Sequence, residues 1–221
     1  MTRYTQRNVG FLQEQGVKAV VVACNTASAL ALPDIDLPIP TWGVIEPGAR
    51  QAAASRGGRI GVIATEATVR SDAYPRALRH LRPELTIHSR ACPLFVPLVE
   101  EGWHDDPITD QVAARYLAPL LAESIDTLVL GCTHYPLLAP ALARLVGPAV
   151  TLVDSAEAVA DAVAAGLEER GLVHHVPAGG ARADGGPYLR LCVTDAGESF
   201  QTLARRILGR PDIGLEWVEV V

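Results

Sequence analysis

Two short segments of the chain share a pattern that could do chemistry. In Ala19-Val20-Val21-Val22-Ala23-Cys24-Asn25-Thr26 and in Thr127-Leu128-Val129-Leu130-Gly131-Cys132-Thr133-His134, an apolar strand leads to a small residue and a cysteine. Hydrogen-bonding residues that open a helical stretch then follow. In a parallel α/β sheet, ligands gather at the carboxyl ends of strands, which is where both cysteines would lie. A helix start just beyond offers free N–H groups and partial positive charge. These suit a carboxylate and lower a thiol's pKa from its reference of about 8.5.

Two thiols that face one carbon atom from opposite sides meet the needs of a cofactor-independent racemase or epimerase. One, as thiolate, removes the α-proton; the other delivers a proton to the opposite face. The charge that develops on the adjoining carboxylate must be met by preorganised donors. Asn25, Thr26 and Thr133 are candidates, and His134 could poise Cys132 or take its proton. The blander reading is that a cysteine ending an apolar strand is a buried small hydrophobe. Repetition of the whole context sets Cys24 and Cys132 apart. Cys92 precedes Pro93 and Cys192 lies inside a predicted strand, so both read as structural. A Cys-His hydrolase is the competing chemistry, but a base two residues along the chain from its nucleophile is poorly placed to activate it.

The composition narrows the classes further. With 221 residues, 49% hydrophobic and 20% charged, the chain can build one large α/β domain or two small lobes. A net charge of -6 argues against nucleic-acid or membrane-surface partners, and no apolar run approaches the ~18 residues of a span. Four cysteines are too sparse for a disulfide scaffold or a CxxC metal site. The expectation is a cytoplasmic protein with free thiols and no metal. Among the basic residues only Lys18 is a lysine, and neither a P-loop nor a G-x-G-x-x-G motif occurs. Pyridoxal-phosphate chemistry, nucleotide hydrolysis and dinucleotide binding are all disfavoured.

The elements that must position the cysteines alternate along the chain. Strands are predicted at 18–23, 59–64, 84–89, 126–131, 149–153, 188–193 and 213–220. Several are continuously apolar, as parallel strands covered on both faces are. Helices are predicted at 2–15, 47–56, 68–81, 94–101, 107–123, 136–146, 155–170 and 196–208. Gly16, Gly57, Gly102, Gly147 and Gly171 fall at their ends, and Asp106-Pro107 reads as a helix start. This predicts one or two mostly parallel sheets. Residues 174–187, rich in Gly, Ala and Pro, read as a mobile connection in which His174 and His175 are solvated.

The segments 22–29 (VACNTASA) and 130–138 (LGCTHYPLL) resemble the two cysteine signatures of glutamate racemases, within the aspartate/glutamate racemase superfamily. Further matches are 44–47 (VIEP), 60–68 (IGVIATEAT), 98–102 (LVEEG) and 153–160 (VDSAEAVA), so the resemblance runs along essentially the whole chain. Aspartate racemases typically carry Gly-Cys-Thr-Glu at the second signature, so His134 favours glutamate. The resemblance implies an α/β protein of two similar lobes with the site in the cleft between them. Residues 1–46 and 155–221 would form the first lobe and 47–154 the second. Cys24 and Cys132 would be the acid/base thiols, with His134 beside them. Asn25, Thr26, Thr133 and His134 would contact glutamate, with Thr65 and Thr68 as weaker carry-overs that read equally well as helix caps. Glu100 reads as a solvated helix-end residue of open role. No cofactor is implied, a homodimer is compatible, and the product would supply D-glutamate for peptidoglycan.

The resemblance also implies a βα unit with an Asp-Ser pair and a Gly-rich turn ahead of the first cysteine strand, and a later Pro-Tyr-Gly segment. Neither is in the sequence. Taken literally, the 221-residue chain is therefore expected to show an exposed sheet edge, a half-built site and weak or no racemase activity.

Overall fold

Residues 1–173, 189–195, 198–209 and 213–220 are described by the computed structural model. The predicted connection at 174–187, with His174 and His175, lies outside them. The chain forms two compact units, Met1–Gly166 and Leu167–Val221.

The first unit opens with α1 (Thr2–Glu14), β1 (Val20–Val22), α2 (Asn25–Leu30), β2 (Thr41–Gly43) and α3 (Ile45–Ala53). It continues with β3 (Arg59–Ala64), α4 (Glu66–Arg70), α5 (Ala73–Leu81), β4 (Thr86–Ala91), α6 (Phe95–Glu100) and α7 (Pro107–Ala122). Then come β5 (Thr127–Gly131), α8 (Ala139–Val146), β6 (Thr151–Val153) and α9 (Ser155–Glu169), which carries the chain into the second unit. There, β7 (Leu191–Val193), α10 (Glu198–Leu208) and β8 (Leu215–Trp217) follow, with β7 and β8 paired in parallel.

In the first unit β1 pairs with β2, and a four-stranded sheet runs β4-β3-β5-β6, every pair parallel. The expected α/β class with parallel sheets is what the chain adopts. β5 is buried along its whole length and β3 at every residue after Arg59, because both faces are covered. Leu128 and Leu130 point into a core with Phe95, Leu117, Tyr135 and Leu142 from the α6–α8 side. Ile60, Val62 and Val129 point the other way, onto Ala49, Ala52, Tyr74 and Leu78 of α3 and α5. Each fully buried aliphatic side chain contributes about 1.5–3 kcal/mol. A smaller core of Val9, Val20, Val22 and Ala27 packs α1 and α2 around β1.

Several predicted boundaries move. The single helix expected over 68–81 is two, because Asp72 adopts φ 54° and the Ser71 hydroxyl competes for the backbone. That hydroxyl donates to the Thr68 carbonyl at 2.6 Å and accepts from the Ala73 N–H at 3.2 Å. β4 starts at Thr86, two residues late, since the Leu85 N–H is held in a turn by the Arg82 carbonyl at 3.2 Å. The left-handed turn after α3 falls at Gly58 (φ +72°), not Gly57. Gly57 instead makes room for Asp126, whose carboxylate oxygen would lie 2.4 Å from a Cβ there. The predicted start of α7 holds: Asp106 accepts from the Ile108 N–H at 2.8 Å with Pro107 in the first turn.

Candidate active site at the carboxyl edge of the sheets

Parallel pairing brings the ends of the strands into one row. Ala64 is in register with Gly131 on one side and Ala91 on the other, so Thr65, Cys132 and Cys92 are the next residues out along one edge. Val22 is in register with Gly43, and Cys24 leaves β1 two residues later to sit at the start of α2. Cys24 is exposed and makes no side-chain cap hydrogen bond, whereas Cys132 is buried.

The hydroxyls of Thr26, Thr65 and Thr68 form a triangle. Thr26 lies 3.0 Å from Thr65 and 3.1 Å from Thr68, and Thr65 and Thr68 are 3.0 Å apart. This triangle joins the turn after β1 to the turn after β3. Thr65 also caps α4, accepting from the Thr68 N–H at 3.3 Å, as its capping reading expects. A ring of three hydroxyls can satisfy itself by cyclic donation, or all three can turn their protons toward one anion.

Cys132, Thr133 and His134 form the second group. The Cys132 sulfur lies 3.9 Å from His134 Nδ1, and the Thr133 hydroxyl lies 3.5 Å from the same nitrogen. The opposite ring nitrogen, Nε2, is 3.3 Å from the Glu100 carboxylate, whose side chain is 57% exposed. Glu100 is thus a partner of His134, which its position at the end of α6 did not disclose. Burial pushes the Cys132 thiol above its ordinary pKa and the neighbouring Cys24 adds to this. The backbone N–H groups of His134 and Tyr135 and the Thr133 hydroxyl oppose it. Hydrogen-bond donors are thus in place around the buried sulfur to receive a thiolate.

Asn25 is placed differently from its neighbours. Its side chain is buried, its Nδ2 donates to the Tyr74 hydroxyl at 2.8 Å, and its Oδ1 has no partner among the described residues. Tyr74 is 1% exposed, and burial drives its pKa upward while the nearby Ser155 and Asn25 side chains oppose the rise. Sequence reasoning missed Tyr74 and Ser155, since neither sits in a turn that looks chemical. Cys92, by contrast, fits its structural reading. It is fully buried, burial pushes its thiol up to about 12, and its carbonyl accepts from the Tyr135 hydroxyl at 2.8 Å. Among the described residues, no group of three or more His, Cys, Asp or Glu side chains could hold a metal ion.

The family model for Asp/Glu/Hydantoin racemase matches residues 2–163. The chain belongs to this racemase family. It is 46% identical to the glutamate racemase of Syntrophus aciditrophicus, over 98% of this chain and 79% of that one. A glutamate racemase isoform of Bacillus anthracis superimposes with a TM-score of 0.89 at 38% identity, covering 99% of this chain and 80% of that one. The glutamate racemase of Francisella tularensis, solved in complex with D-glutamate, gives a TM-score of 0.85 at 30% identity, over 100% of this chain and 79% of its own. As a racemase the chain is an isomerase, and among the described residues no helix is long and apolar enough to cross a membrane.

Proposed function

We propose that the chain is a glutamate racemase that interconverts L- and D-glutamate by proton transfer between two thiols. The observation that carries this is the placement of Cys24 and Cys132 at the carboxyl ends of strands in two different sheets, with the hydroxyls of Thr26, Thr65 and Thr68 tying the Cys24 turn to the sheet that carries Cys132. The thiolate of one cysteine takes the α-proton, breaking the Cα–H bond and forming S–H. The thiol of the other gives its proton to the opposite face of the same carbon, and is left as thiolate. Charge and protons balance, and the reverse reaction exchanges the two roles.

The hydroxyls of Thr26, Thr65 and Thr68 turn toward a substrate carboxylate, giving up their cyclic bonds to one another. Such fixed donors stabilise the charge that builds on that group as the α-proton leaves. Thr133 and His134 flank the second thiol. His134 accepts the Cys132 proton or returns it, and Glu100 stabilises the imidazolium that results. The buried Asn25 Oδ1 accepts from the substrate ammonium. The enzyme works in the cytoplasm, and its D-glutamate supplies peptidoglycan synthesis.

The test is to incubate the chain with D- or L-glutamate in D2O. Deuterium at Cα is followed by NMR and the loss of optical activity by polarimetry. Deuterium incorporation with racemisation is expected, in place of the weak or absent activity that the sequence alone suggests, and Cys24→Ala or Cys132→Ala should abolish it. A folded chain that binds glutamate but leaves both enantiomers protonated at Cα and optically pure would overturn the proposal.

A further inference from the structure

One buried side chain touches both cysteine turns. The hydroxyl of Tyr74 accepts from Asn25 at 2.8 Å, and Asn25 directly follows Cys24. The ring of the same tyrosine packs beneath Gly131, which directly precedes Cys132: a Cβ on Gly131 would lie only 3.1 Å from Tyr74 Cε2. The remaining contacts hold the tyrosine in place. α3 passes so close that a Cβ on Gly48 would sit 3.3 Å from the hydroxyl oxygen and 3.2 Å from the Cβ of Ser155 at the start of α9. Glycine at 48 and at 131 keeps both approaches open. The left-handed Asp72 turn aims the start of α5, and so Tyr74, into this junction.

A two-thiol proton transfer is sensitive to the spacing of its sulfurs. Misplacing a catalytic group by about 1 Å can cost about a hundredfold in rate. The two turns belong to different sheets, β1-β2 and β4-β3-β5-β6, so no shared ladder sets their separation. The threonine triangle ties α2 to α4, but it lies among groups that must reorient when a carboxylate arrives. Tyr74 lies beneath, 1% exposed, in a close-packed core.

We propose that Tyr74 is a positioning residue that sets the separation of the Cys24 and Cys132 turns, through its hydroxyl on one and its ring on the other. Tyr74 never contacts the substrate. It acts through Asn25 and Gly131, and its importance rests on the two-thiol reading above.

The separation can be read without turnover. The full chain is treated with 1,3-dichloroacetone, which bridges two thiols through three carbons as each sulfur displaces a chloride. Mass spectrometry then gives the ratio of Cys24–Cys132 bridge to single alkylation at Cys24. Tyr74→Phe keeps the ring and removes the tie to Asn25, and the ratio should fall about fivefold, the size expected for one buried hydrogen bond. Tyr135→Phe, which removes a buried hydroxyl bonded to the Cys92 carbonyl instead, should leave the ratio unchanged. Thermal melts verify that each variant is folded. An unchanged ratio in folded Tyr74→Phe overturns the proposal, and so does an equal fall in Tyr135→Phe, which would mean general loosening. In D2O, Tyr74→Phe should also raise deuterium in unreacted substrate relative to inverted product, because one thiol then works without its partner. The bridging result stands or falls independently of racemisation, so failure of this proposal and failure of the racemase reading are distinguishable.

Discussion

Replacing Gly131 by alanine tests how tightly the second cysteine turn is packed. The new methyl group would lie 2.9 Å from the Ile63 carbonyl oxygen, 3.0 Å from the Ala64 Cβ and 3.1 Å from Tyr74 Cε2. All three are well inside ordinary contact distance, and two of the atoms belong to the neighbouring strand, paired in register at Ala64 and Gly131. Either β3 and β5 part locally or the Tyr74 ring tilts. Overpacking of this kind costs about 1–3 kcal/mol, partly offset by the ~0.5–1 kcal/mol that alanine gains over glycine in a strand. The net expectation is a loss of about 1–2 kcal/mol in urea denaturation, with Tm falling by roughly 2–4 °C per kcal/mol for a chain of this size. Gly147→Ala is the comparison. Nothing lies within 4 Å of a Cβ there, and the cost comes only from a backbone at φ +73°, ψ 176°, a region nearly confined to glycine, about 1–3 kcal/mol. The two variants should therefore be similar in stability but different at the site: only Gly131→Ala should change the rate at which iodoacetamide alkylates Cys132. Gly131→Ala as stable as the parent, with the same alkylation rate, would refute the packing argument.

Glu100→Gln should barely alter stability, since an exposed ion pair contributes about 0–1 kcal/mol, yet it should lower kcat/KM for racemisation. His134→Asn should lower it further, by about 10²–10⁴ if it moves the Cys132 proton. Because enantiomers have equal free energy, either substitution must reduce kcat/KM by the same factor for D- and L-glutamate, and initial rates from each check this. Alkaline pH should destabilise the fold. Burial raises the thiol pKa of Cys92 and Cys132 in the folded chain, so below about pH 8.5 neither contributes a pH dependence. Above it the unfolded chain sheds protons first, and stability falls by about 1.4 kcal/mol per pH unit per thiol. Urea midpoints from pH 8 to 11 should show this slope, reduced in Cys92→Ala. At the opposite end of the sheet, burial alone would raise the Asp126 pKa. Hydrogen bonds from the Ser55 hydroxyl, the Arg59 N–H and the Thr127 hydroxyl override it and hold the carboxyl below its ordinary value. Its contribution is present above the unfolded pKa of about 3.9 and is lost as pH falls through the lower folded value. Asp126→Ala, which strands those donors, should cost about 1 kcal/mol at neutral pH and flatten the acid limb of the stability profile.

What could be read along the chain was what is encoded locally. A buried parallel strand needs a short unbroken apolar run, and residues 60–64 and 128–131 each supply one. A helix start needs a capping side chain, and Asp106-Pro107 supplies it. The cysteine turns were legible for the same reason, since strand, cysteine and polar follower are consecutive residues. β2 was not, because Thr41-Trp42-Gly43 is too short to show a period and is a strand only through its pairing with β1.

The groups that position the site were hidden for a related physical reason. Glu100 reaches His134 from another helix, and Tyr74 reaches Asn25 across 49 residues of sequence. Tyr74 is an aromatic residue in the first turn of an amphipathic helix, where a core role explains it fully. Only the fold reveals that its one polar atom ends against the residue after Cys24, and its ring against the residue before Cys132. A two-base site needs chemistry at two points and a fixed distance between them. The chemistry is a matter of residue type and shows in a single strand-turn-helix segment. The distance is a property of how two sheets pack, so the residues that set it are read only from their contacts.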